Sequence, residues 1–146
     1  MTTNFEVAKK LEDIVNDNRT ALNLATNGLY YGDITKIPTT PCICIESGDK
    51  DQELNGAPRR VMITGTNYIL VYHSEVKSPS ANREDDDQYA EQVEALVHAD
   101  ATLGGLVIDS LVRTIEFGYQ IRSNTLYRAS RLTVEARWQE MLPYPL

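Results

Sequence analysis

The chain has 146 residues, 42% of them hydrophobic and 24% charged, and this composition excludes a disordered or fibrous protein. Its 14 Lys and Arg against 21 Asp and Glu give a formal net charge of −7. This charge argues against a protein whose main role is to bind phosphate groups, such as those of nucleic acids. No apolar run approaches the roughly 20 residues of a membrane helix, and the N-terminus lacks the pattern of a secretory signal. We therefore expect one domain over residues 1–146, made in a cytoplasm.

The charge is unevenly distributed along the chain. Residues 107–146 hold five arginines against four acids, whereas residues 1–106 hold nine basic against seventeen acidic groups. An acidic body joined to an arginine-bearing segment can bind a second copy of itself as readily as a foreign partner.

The first predicted element is a helix over residues 4–26. Thr3 and Glu6 have the spacing of a capping box, and Asn27-Gly28 is typical of a helix stop. Apolar residues between them recur at helical spacing, at Val7, Ala8, Leu11, Ile14, Val15, Ala21, Leu22 and Ala25.

Three strands are predicted next, over residues 42–46, 60–63 and 68–76. Turn chemistry at 47–51 and Gly65 are expected to interrupt them. Cys42 and Cys44 flank one residue of the first strand and should share a face. We interpret them as two buried apolar side chains, since neighbours at this spacing suit neither a disulfide nor a zinc site.

A second helix is predicted over residues 83–100, and it begins with the acidic run Glu84–Asp87. One interpretation of this run is a metal or partner site. The favoured one is a solvated first turn whose carboxylates complement the helix dipole, with Asn82 as the cap.

From Leu111 the hydrophobic period changes to two, which predicts strands over 111–122 and 126–138 around a turn at Ser123-Asn124. On the first strand, Leu111 should share a face with Ile115. The expected fold is α+β, with two helices packed on one face of an antiparallel β-sheet that ends in a long β-hairpin.

Candidate chemistry is sparse. His73 and His98, the two histidines, have no serine or cysteine beside them in a catalytic motif, so we interpret both as structural. No glycine-rich phosphate loop is present either. We predict no catalytic residue, no metal and no cofactor.

The layout resembles the tail terminator (tail-completion) proteins of long-tailed bacteriophages. The resemblance covers most of the chain and is carried by an amphipathic first helix, a Pro-led strand, a continuing sheet, and a helix before a terminal hairpin. The matching segments are Asn27–Asp33 at the end of the first helix, Pro41–Gly48, Val61–Val76, Tyr89–Val97 and Leu103–Val107.

The resemblance implies a non-enzymatic structural virion protein at the head-proximal end of the tail. Such proteins form a hexameric ring that caps the tail tube, and their partners are the tail tube protein and a neck or head-completion protein. DNA passes through the ring without specific binding. The alternatives are a neck or head–tail connector of the same virion, a small cytosolic enzyme using His73 or the acidic cluster, and a dimeric adaptor.

Two sets of site residues follow from this hypothesis. Arginines that alternate with acids on strands are candidates for the subunit interface. The densest acidic stretches are candidates for the lumen, because like charge avoids trapping DNA phosphates. The interface candidates are Arg113, Arg122, Arg131 and Arg137, and the lumen candidates are Asp49, Asp51, Glu53, Glu84, Asp85, Asp86 and Asp87.

Overall fold

The computed structural model of the chain describes residues 2–54, 60–76 and 83–141. Five strands form one sheet in the order β1-β2-β3-β5-β4, and two helices accompany it, so the chain is an α+β protein as predicted. Along the chain the elements are α1 (Asn4–Asp17), β1 (Leu29–Tyr31), β2 (Cys42–Leu54), β3 (Arg60–Glu75), α2 (Arg83–His98), β4 (Asp109–Arg122) and β5 (Thr125–Met141).

The sheet is mixed, and the prediction of a purely antiparallel sheet is therefore wrong. Strand β1 runs parallel to β2, with Leu29 opposite Ile43, while the other three strand pairs are antiparallel. Parallel neighbours need a crossover connection, which the loop 32–41 supplies. Strand β1 escaped the sequence analysis because three residues are too few to show an alternating pattern.

Helix α1 begins as predicted, since the Glu6 N–H donates to the Thr3 hydroxyl at 3.1 Å. Its predicted end at residue 26 is wrong, because the helix stops at Asp17. Short polar side chains there compete for backbone hydrogen bonds, and the Asn18 amide donates to the Ile14 carbonyl at 2.7 Å. Leu22 still becomes fully buried, as part of the following turns.

Strands β2 and β3 are longer than predicted, and the interruptions expected at 47–51 and Gly65 are wrong. A bulge between Ser47 and Lys50 takes the place of the expected turn. The Asn4 side chain holds it by donating to the Gly48 carbonyl at 2.9 Å. Gly65 lies inside β3, where an added Cβ would collide with the Trp138 ring at 2.7 Å.

Strands β4 and β5 form the predicted hairpin, slightly extended at both ends. Ser123 and Asn124 adopt φ of 50° and 62°, the left-handed values that a two-residue hairpin turn requires. A bulge after Val112 shifts the pattern of β4, so Leu111 is exposed and does not share the partly buried face of Ile115. Grouping these two residues on one face was therefore wrong.

Both helices pack on one face of the sheet and enclose the main core. Helix α2 ends at His98, two residues before its predicted end. The other face carries a smaller apolar cluster that includes the loop 32–41, and the two free cysteines are buried there as predicted. This second cluster comprises Ile37, Cys42, Cys44, Tyr72 and Tyr127.

Candidate functional site

A buried polar cluster lies between the first turn of α2 and the sheet. Asp86 is only 5% exposed, and its carboxylate accepts a hydrogen bond from the Arg128 guanidinium of β5 at 2.9 Å. His73 of β3 lies against the same carboxylate, with Nδ1 at 3.7 Å. Its Nε2 is 2.8 Å from the hydroxyl of Ser130. The fold thus joins side chains from β3, α2 and β5 in one cluster.

Serine, histidine and aspartate in this order evoke a hydrolytic triad, but the geometry favours a structural role. Ser130 is 2% exposed, whereas a nucleophile must be reached by its substrate. The Asp86 carboxylate is within hydrogen-bonding distance of Arg128 and beyond it from His73. The cluster is best described as a buried ion pair that attaches α2 to the sheet.

His98 also has a structural contact. Its Nε2 accepts a hydrogen bond from the backbone N–H of Val112 at 3.0 Å, at the bulge of β4. The interaction satisfies the backbone donor of Val112 and ties the end of α2 to β4. Both histidines therefore have structural partners, in line with the sequence interpretation.

The acidic run of α2 is only partly solvated. Glu84 and Asp85 are exposed and Asp87 is half-buried, whereas Asp86 is enclosed. The interpretation of the run as a solvated first turn is therefore wrong for Asp86. The carboxylate points at the sheet because a helix returns to the same face every three to four residues, and Asp86 precedes the buried Ala90 by one turn.

The other acidic candidates lie at the opposite end of the sheet. Asp49, Asp51 and Glu53 are exposed on residues 46–54 of β2, which we call the acidic arm. Asp51 lies opposite Thr64 of β3, nine residues before His73, the residue that meets the acidic run of α2. At about 3.3 Å per residue the two acidic stretches are roughly 30 Å apart along the sheet.

Each of the four arginine candidates pairs with an acid of its own chain. The pairs are Arg113–Glu135 at 3.3 Å, Arg122–Asp33, Arg131–Glu116 at 2.9 Å and Arg137–Asp109. The hydrogen bond from Arg137 lowers the pKa of Asp109 below its usual value. Whether these arginines also contact another subunit stays a prediction.

Arg122 has a clear role within the chain. Its guanidinium and the Tyr72 hydroxyl both bind the carboxylate of Asp33, the latter at 2.7 Å. Burial and then the contact with Asp33 raise the pKa of Tyr72 above its usual range, so the phenol stays a donor. These contacts attach the crossover loop 32–41 to the face of the sheet opposite the helices, which we call the open face.

A shallow groove of about 420 Å³ crosses the open face beside this loop. Its lining is mostly polar, and the Arg131 guanidinium lies 5.1 Å from the centre of the Tyr68 ring, close enough for a cation–π contact. Glu46 and Glu116 line the groove on either side. The charges alternate in sign, which suits an extended protein surface better than a small anion or cation.

Strand β4 is the most conspicuous surface feature. It is an edge strand of the sheet, and β5 is its sole strand partner among the described residues. Leu111, Tyr119 and Ile121 are 54%, 64% and 65% exposed along it. A long edge strand with exposed apolar side chains is a template for pairing with another chain.

No group of three or more His, Cys, Asp or Glu within the described ranges is arranged to hold a metal ion. In the same part of the chain, no helix is long and apolar enough to cross a membrane. No protein-family model matches the chain, and no curated protein matches it significantly in sequence.

Proposed function

We propose that this chain is a structural virion protein, a tail terminator whose copies form a hexameric ring on the end of a phage tail tube and join it to the neck. The order of elements supports the proposal. Helix α1, the strands β2 and β3, helix α2 and the hairpin β4–β5 follow one another in the layout of that family.

The exposed edge strand β4 carries the proposal. Leu111, Tyr119 and Ile121 would be covered in an oligomer, and an edge strand of this length left exposed is an aggregation hazard for a monomer. An enzyme does not need such a surface, whereas a ring protein needs one on every copy. The buried position of Ser130 further weakens the enzyme alternative.

The proposed ring need not be stable at low concentration. The arginine pairs on the open face are solvent-accessible, and exposed ion pairs contribute about 0–1 kcal/mol each. Assembly would then depend on protein concentration or on the tail tube as a template.

Electron microscopy and native mass spectrometry of the purified protein test the proposal. We expect rings of six copies with a central opening, at raised concentration or after addition of tail tubes from the virion that carries the chain. A single copy or a two-fold dimer on the tubes would contradict the proposal.

Assembly without the protein distinguishes a terminator from a neck connector. Loss of a terminator should give tail tubes of irregular length, because nothing stops their polymerisation. Loss of a neck connector should leave tubes of normal length that fail to join heads. Antibody labelling of intact particles should mark the head-proximal end of the tail.

A further inference from the structure

We propose that the edge strand β4 of one copy pairs with the acidic arm of β2 (residues 46–54) in the next copy, as an antiparallel extension of the sheet. This inference rests on the proposed ring and assigns its subunit contact. It names a second copy of this chain as the occupant of the exposed edge.

Both edges of the sheet offer unpaired strand backbone. Strand β1 covers β2 only at Ile43–Ile45, so the outer side of the acidic arm has no strand partner among the described residues. At the other edge, β4 runs for 14 residues with β5 as its one strand neighbour there. One contact between the two edges would pair the free backbone N–H and C=O groups of both strands.

The strand directions suit this contact. Strands β2 and β3, β3 and β5, and β5 and β4 are each antiparallel, so β4 runs antiparallel to β2 within one copy. A rotation about an axis roughly along the strands preserves these directions. It therefore brings the neighbour's acidic arm antiparallel to β4, the arrangement in which strand pairs are slightly more stable.

Charge favours a contact between the two different edges. The acidic arm carries Glu46, Asp49, Asp51 and Glu53 against the single cation Lys50, and two such arms would repel each other. Strand β4, the edge itself, carries Arg113 and Arg122 against Asp109 and Glu116, so it is neutral overall and does not repel the arm. Its exposed Arg113 can face a carboxylate of the arm.

Arg113 is the β4 arginine best placed to meet the acidic arm. Its side chain is 64% exposed, and its contact with Glu135 is long at 3.3 Å. Across the sheet, Glu46 lies opposite Tyr68, Tyr68 opposite Thr133, and Thr133 opposite Thr114. Arg113 directly precedes Thr114 and therefore lies level with Glu46, at the start of the arm. A contact between two different surface patches is heterologous, the type that generates rings when its rotation closes.

Cysteine cross-linking tests the contact directly. Variants combine Arg113→Cys with Glu46→Cys, Ser47→Cys or Asp49→Cys, the arm positions nearest its level, and are oxidised with diamide. The native thiols Cys42 and Cys44 are fully buried and should not interfere. On a non-reducing gel, at least one pair should give a ladder of disulfide-linked multimers. The ladder should end at the number of subunits in the ring.

Mixing two single-cysteine proteins gives the control. Arg113→Cys and Glu46→Cys proteins should cross-link to each other in preference to themselves. Dimers from Arg113→Cys alone would indicate pairing of β4 with β4 and would overturn the inference. Rings seen by microscopy without any edge-to-edge cross-link would also overturn it, while leaving the proposed function standing.

A charge exchange provides an independent measurement. Arg113→Glu should raise the concentration for half-assembly at least tenfold, and adding Glu46→Arg should restore assembly by reversing the pair. Lys36→Glu, the same reversal on the exposed loop 32–41, is the matched control and should leave assembly unchanged. Failure of Glu46→Arg to restore assembly, with unchanged thermal unfolding of each variant, would contradict the pairing.

Discussion

Asp85 and Asp86 are neighbours in one acidic run, yet their surroundings differ completely. Asp85 is exposed, whereas Asp86 is enclosed between α2 and the sheet with Arg128. The Nε of Arg128 has no hydrogen-bond partner among the described residues, so its charge depends heavily on that one carboxylate. A buried charge that loses its partner is much more costly than an exposed one.

We therefore expect Asp86→Ala to lower the free energy of unfolding by about 3–5 kcal/mol. The matched variant Asp85→Ala loses only a favourable interaction with the helix dipole, about 0.3–1 kcal/mol. Urea denaturation followed by circular dichroism measures both. Equal effects of the two substitutions would show that Asp86 is solvated like its neighbour.

The cysteines provide a second test at the scale of single residues. Cys42 and Cys44 are fully buried, and the contact with Cys42, followed by burial, raises the pKa of the Cys44 thiol above its ordinary value of 9.0. The thiolate of Cys44, the reactive form, is therefore scarce. The hydrogen bond with Cys44 lowers the pKa of Cys42, so complete burial is what shields Cys42 from reagents.

We expect Ellman's reagent at pH 8 to label neither thiol in the native protein and both after unfolding in guanidinium chloride. Leu54→Cys, at a position 76% exposed, is the positive control and should react at once. Rapid native labelling of the wild-type chain would mean that the second apolar cluster opens readily.

At the scale of elements, α1 and the sheet are joined by close packing around Gly65. The Asn4 amide donates to the Gly48 carbonyl at 2.9 Å and to the Thr66 carbonyl at 3.2 Å, and its oxygen accepts from Asn67. Gly65 leaves the space that this network and the neighbouring indole ring occupy. The start of α1 is thereby tied to the bulge of β2.

Gly65→Ala should destabilise the fold by about 1–3 kcal/mol, because the new Cβ overlaps Asn4 and lies 2.7 Å from the Trp138 ring. Gly118→Ala on the exposed edge of β4 is the control, since a Cβ there meets nothing within 4 Å. We expect it to change stability by less than about 0.5 kcal/mol. A shift in the denaturant midpoint for Gly65→Ala no larger than that of the control would refute the packing argument.

At the scale of the whole molecule, the net charge determines the affinity that we expect for nucleic acid. The net charge is −7, and the four arginine candidates already pair with acids of the same chain. Phosphate binding by these arginines would require their pairs to open, and the overall negative charge repels the DNA. We therefore expect the proposed ring to bind DNA weakly as the DNA passes through it.

We expect no salt-sensitive affinity for duplex DNA in a gel-shift titration at low ionic strength. A control protein of similar size with a basic surface should shift the same probe. Binding at micromolar concentration that weakens steeply with added salt would argue for a nucleic-acid-binding role and against a passive channel.

Local patterns in the sequence were sufficient to locate both helix starts, the burial of the two cysteines and the hairpin turn at Ser123-Asn124. These features depend on residues a few positions apart, whose caps, spacing and turn preferences act within one element. The same local rules underlie the α+β class, because they place the change from a helical to an alternating period.

Only the tertiary structure decided the features that depend on distant residues. In the folded chain, Asp86 pairs with Arg128, which is 42 positions away. The segment 47–51, predicted as a turn, forms a bulge that the Asn4 side chain holds. The tertiary structure also places the three residues of β1 parallel to β2 and leaves β4 at the edge. Burial and strand partners are properties of the assembled sheet, and no window of neighbouring residues contains them.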